Sequence, residues 1–115
     1  MPYSGQCHCG TVKFTVDTDL PESAIDCNCS HCSSKGLILT FVPAAQFALA
    51  GGEDMLGEYR FNTQTIAHRF CNLCGSQPFA EGNSPNGEVR AINLRCVAEA
   101  DLGKIRLDPV DGASF

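Results

Sequence analysis

The sequence is 115 residues long, carries a formal net charge of −5, and contains eight cysteines but no tryptophan. A chain this short forms one domain, expected here over 1–115, and buries only about two thirds of its unfolded surface, so its apolar core needs help. The negative charge disfavours nucleic-acid phosphates, and neither a Lys/Arg run for a membrane surface nor an apolar stretch near the ~20 residues of a membrane span is present.

In chain order, Thr11 to Val16 alternates polar and apolar residues and predicts a half-buried strand. Leu37 to Val42 predicts a second strand, stopped by Pro43, which opens one helical turn through Phe47. Gly51-Gly52-Glu53-Asp54 predicts a turn between strands Phe47–Ala50 and Met55–Phe61. Ile66 to Cys71 and Gln77 to Glu81 read as strands flanking a C-x-x-C pair, followed by a loop over 82–87 and a strand from Glu88 to Arg95. Asp101-Leu102-Gly103 reads as a short turn. With about seven or eight short strands and no long amphipathic helix, the expected class is mostly β.

The cysteines fall into three clusters: Cys7-His8-Cys9-Gly10, Cys27-Asn28-Cys29-Ser30-His31-Cys32, and Cys71-Asn72-Leu73-Cys74-Gly75. The N-terminus shows no basic segment followed by an apolar one, so the expected setting is cytoplasmic, where thiols stay reduced. A C-x-C pair also disfavours an internal disulfide on geometric grounds. Thiolates spaced two and three apart on tight turns supply neighbouring corners of a zinc tetrahedron. Two zinc ions held by seven thiolates would add about −3 to the net charge.

Spacing alone does not divide the seven cysteines. Gly10 and Gly75 each follow the second cysteine of a pair, where a knuckle often needs a positive φ or a close backbone approach. They mark Cys7/Cys9 and Cys71/Cys74 as matched halves of one closed four-cysteine site. Cys27, Cys29 and Cys32 then supply three ligands to a second ion with a free position, the arrangement of a catalytic zinc. A fourth side chain closing that site is the alternative; His31 lies inside the cluster, and His8 sits within the first knuckle.

Cys96 stands apart. Strand alternation would place Ile92, Leu94 and Cys96 on one apolar face, making Cys96 a small buried hydrophobe, with Asn93 and Arg95 pointing outward. His68 and Phe70 share a strand face, and a hydrogen-bonded structural His is the simpler reading than a general base. Lys35 and Arg95 are candidates to steer an anionic thiol, though nothing in the sequence places them at a pocket. The polar tip of Phe61-Asn62-Thr63 reads as structural.

The three clusters, in this order and within Gly5-Gln6-Cys7-His8-Cys9-Gly10 and Phe70-Cys71-Asn72-Leu73-Cys74-Gly75, resemble the glutathione-dependent formaldehyde-activating enzyme family, which includes the centromere protein V group. Tyr59-Arg60-Phe61-Asn62-Thr63, Asn93-Leu94-Arg95-Cys96 and Asp111-Gly112-Ala113-Ser114 are similar to its later motifs. The resemblance implies a β-tent fold of short antiparallel strands with two zinc ions. It implies a structural ion on Cys7, Cys9, Cys71 and Cys74 and a catalytic ion on Cys27, Cys29 and Cys32. It also implies carbon–sulfur lyase chemistry on S-hydroxymethylglutathione, formed from or cleaved to glutathione and formaldehyde. The basic N-terminal extension of the centromere protein is absent from the sequence, so no chromatin role is expected.

Two rival readings accompany this one. The fold can serve as a non-enzymatic zinc module for structure or interaction. Alternatively, Cys96 can act as the nucleophile of a thiol redox enzyme, a reading its apolar surroundings weaken.

Overall fold

The computed structural model describes residues 2–27, 35–60, 66–85 and 87–110. Among them are ten strands and three short 3-10 turns. The strands are β1 (Tyr3–Gln6), β2 (Lys13–Val16), β3 (Ser23–Cys27), β4 (Leu39–Pro43), β5 (Phe47–Gly51), β6 (Leu56–Tyr59), β7 (Ala67–Cys71), β8 (Phe79–Ser84), β9 (Gly87–Asn93) and β10 (Arg106–Val110). No helix among the described residues is long and apolar enough to cross a membrane.

Two sheets result, one of three strands in the order β1-β2-β5 and one of seven in the order β10-β3-β4-β9-β8-β7-β6. All ladders are antiparallel except β10 beside β3, which run parallel in the register Arg106↔Ser23 to Val110↔Cys27. That pair departs from the expected all-antiparallel arrangement. The connection after β9 returns the chain to the end where β3 starts, and the Arg106 amide donates to Glu22 O at 3.0 Å. Parallel pairing needs such a crossover.

The sheets close on a core of Tyr3, Phe14, Val16, Ala24, Ile38, Val42, Phe79, Ile92, Leu94 and Val97. Alternation in β2 buries Phe14 and Val16 while exposing Lys13 and Thr15, as the sequence predicts. An aromatic contact ties the layers together: Phe14 and Phe47 of the small sheet stack at 5.5 Å, and Phe79 of the large sheet lies 4.7 Å from Phe47 and 6.4 Å from Phe14.

Several boundaries differ from the sequence reading. The loop expected over 82–87 is largely hairpin, because β8 runs to Ser84 and pairs there with Gly87. Pro43 ends β4 and precedes the 3-10 turn Ala44–Gln46, so it stands before the turn rather than at its first position. The strand expected to reach Arg95 stops at Asn93 and gives way to a 3-10 turn, Leu94–Cys96. Asn93 Oδ1 accepts the Arg95 amide at 3.1 Å and caps that turn, which breaks the period of two on which the Cys96 assignment rested. The turn at Asp101 is present, with the Gly103 amide donating to Asp101 Oδ1 at 3.0 Å.

Candidate metal centre

The two knuckles sit on the hairpins that end β1 and β7, one in each sheet. Within the first, the Gly10 amide donates to Cys7 O at 3.0 Å; within the second, the Gly75 amide donates to Cys71 O at 2.8 Å. Both glycines have φ of 80°. An added Cβ at Gly75 would meet nothing within 4 Å, so the left-handed backbone, not crowding, is what calls for glycine there. The matched-knuckle expectation is met in geometry.

Folding brings Cys7, Cys9, Cys71 and Cys74 together with their four sulfurs within 4.8 Å of one another. The Cys7–Cys9 and Cys9–Cys71 sulfurs are 3.6 and 3.7 Å apart. A tetrahedral ion with metal–sulfur distances near 2.3 Å spaces its sulfurs by about 3.8 Å, whereas a disulfide needs about 2.05 Å. All four are free thiols, and the set can hold a metal ion. The Val12 amide donates to Cys7 Sγ at 3.3 Å and the Leu73 amide to Cys71 Sγ at 3.4 Å. Cys7, Cys71 and Val12 are fully buried, with Leu49 and Leu56 packed against them.

Burial and hydrogen bonds split Cys71 and Cys74 in acidity. Burial pushes Cys71 up to about 11. Burial acts the same way on Cys74, but hydrogen bonds led by those from the backbone of Ser76 and Cys9 bring it down to about 5. The Thr11 hydroxyl, 3.2 Å from Cys9 Sγ, and the Thr11 backbone lower Cys9. Four sulfurs this close cannot all ionise without a counter-charge, which a divalent cation at their centre supplies.

The remaining candidates fall in different places. Cys29, Cys32, His31 and Phe61-Asn62-Thr63 lie outside the described residues, and of Cys27 only the backbone, at the end of β3, is described. His68 is buried, and the Gln77 amide nitrogen donates to its Nδ1 at 3.2 Å.

Cys96 does not join Ile92 and Leu94 in the core. It is only half-buried and faces an open cleft of 580 Å³ that reaches from Cys7 and Ser76 past Gln77 and Asn93 to Lys35 and Arg95. Burial, and then the charge of Cys7 and Cys74, push its thiol up to about 11. Asn93, expected to point outward, is buried and donates through Nδ2 to Gln77 O at 2.9 Å. Sequence reasoning overlooked Gln77. Its signal was a polar residue opening the otherwise apolar run Gln77-Pro78-Phe79-Ala80.

The architecture is similar to that of a crystal structure of a Rhodobacter sphaeroides protein, with a TM-score of 0.76 and 26% sequence identity over 91% of this chain and 99% of that one. The family model for the glutathione-dependent formaldehyde-activating enzyme matches residues 2–110, which takes in all three cysteine clusters. With the two knuckles and the four-sulfur cluster in place, the chain belongs to the glutathione-dependent formaldehyde-activating enzyme family.

Proposed function

We propose that the chain is a two-zinc carbon–sulfur lyase acting on the adduct of a small thiol with formaldehyde, S-hydroxymethylglutathione or a close relative. The reading rests on the family match across residues 2–110. In this reading Cys7, Cys9, Cys71 and Cys74 hold a zinc ion that staples one sheet to the other. Saturated with protein sulfur, that site has no position for substrate and its role is in folding.

Cys27, Cys29 and Cys32 would hold the second ion. An ion with three protein sulfurs and one free position supplies a place where a thiol is kept as thiolate at neutral pH. In the forward direction a carbon–sulfur bond forms from the thiol sulfur to the formaldehyde carbon. The carbonyl π pair moves to oxygen, which gains a proton while sulfur loses one; cleavage runs the same steps backwards. The chain's own part is to hold the thiol's body in the cleft beside Cys7 and keep its sulfur oriented.

A Cys29→Ser variant tests the reading. It should keep the fold and one zinc per chain, lose the second zinc, and lose glutathione-dependent consumption of formaldehyde. Loss of the fold instead would count for a structural second site. The non-enzymatic module draws support from the four-sulfur cluster, which on its own explains a structural metal. Wild-type protein with both ions bound and no turnover of any cellular thiol with formaldehyde would decide for it.

A further inference from the structure

The cleft beside the metal centre has a volume within the range of about 300–1,000 Å³ common for small-molecule sites. Its charge is unusual for this protein. Of the eight Lys and Arg residues, Arg60, Arg69, Arg90, Lys104 and Arg106 each pair with a carboxylate. Lys13, Lys35 and Arg95 have no ion pair among the described residues, and two of these three, Lys35 and Arg95, line the cleft.

Both cations are held in place without being neutralised. Arg95 Nε donates to Gly36 O at 2.6 Å, which leaves its two Nη groups with no protein partner among the described residues. The Arg95 backbone is fixed in turn by Asn93, whose buried side chain is braced by Gln77 O. Lys35 Nζ sits 5.4 Å from the centre of the Phe70 ring, a contact that orients an ammonium but leaves its charge intact. A guanidinium fork anchored through one nitrogen presents the others in the geometry that takes a carboxylate.

We propose that Lys35 and Arg95 form a carboxylate-recognition edge, so that the cleft selects thiols bearing carboxylates over neutral thiols. The identity of the ligand as a glutathione-like thiol rests on the function proposed above; the assignment of its carboxylates to Lys35 and Arg95 rests on the geometry of this pair. Arg95 and Lys35 are specificity residues here, with no part in bond making.

Titration calorimetry on the metal-loaded full chain tests the pair. S-methylglutathione retains both carboxylates but lacks a thiol, and its diethyl ester lacks the carboxylates as well. The acid should bind at least tenfold more tightly than the ester, and only the acid should weaken as salt rises. Arg95→Gln and Lys35→Gln should each weaken the acid by about tenfold and leave the ester unchanged. Arg95→Lys keeps the charge but not the fork and should recover part of the loss, although it too gives up the bond to Gly36. Equal binding of acid and ester, no binding of the acid at millimolar concentration, or equal losses in Arg95→Lys and Arg95→Gln would each overturn the proposal. Selective binding of the acid without turnover of glutathione and formaldehyde would sink the lyase reading alone. Turnover with no preference for free carboxylates would sink this one alone.

Discussion

Cys9 and Cys71, 62 positions apart in sequence, bring their sulfurs to 3.7 Å across the seam between the two sheets. No covalent bond joins them, and two thiolates at that distance would repel unless a cation lay between them. On the two-zinc reading, replacing Cys71 by Ser should release one zinc equivalent and lower stability by more than about 3 kcal/mol, because the metal's binding energy is folding energy. Zinc content by atomic emission and thermal unfolding would measure it. Unchanged metal content would argue against a four-sulfur site.

Gly75→Ala isolates the backbone contribution of a knuckle. The new methyl meets no neighbour, yet the residue must stay at φ 80°. The expected cost is about 1–2 kcal/mol from the left-handed conformation alone. Equilibrium denaturation of the zinc-loaded protein is the check, and Gly10→Ala should behave alike.

Tyr3→Phe should stabilise the protein. The Tyr3 hydroxyl is buried with no hydrogen-bond partner among the described residues, and burial raises its pKa above the usual tyrosine value. Removing an unsatisfied buried hydroxyl recovers roughly 1 kcal/mol or more of desolvation cost. A higher urea midpoint at unchanged slope would show it.

Cys96 should alkylate slowly. With its thiol raised to about 11, the thiolate fraction at pH 8 is about a hundredfold below that of a thiol at 9. Because a raised value means the neutral form persists, the rate of iodoacetamide labelling should keep climbing until the pH passes about 11. Mass spectrometry of labelled peptides from zinc-loaded protein follows Cys96 directly. Fast labelling at pH 7 would revive the redox-nucleophile reading.

Much of the centre was legible because its parts are local. A C-x-C or C-x-x-C pair followed by glycine specifies a turn, its φ and two ligands within five residues, and both knuckles have that form. The alternating strand β2 was readable for the same reason. Strand β9 was readable only in part, since the cap that stops it depends on Asn93 being buried against Gln77, sixteen positions away.

The sequence by itself determined the mostly-β class and the two Cys-Gly knuckles, which follow from residue type and short spacing, and its motifs carried the resemblance to the family. Only the tertiary structure decided that the knuckles meet across two sheets, that β10 pairs parallel with β3, and that Cys96 faces a cleft instead of the core. It also decided that Lys35 and Arg95, two cations with no ion pair among the described residues, line that same cleft. These depend on contacts between distant segments, set by packing and loop closure, and no local pattern of residues encodes them.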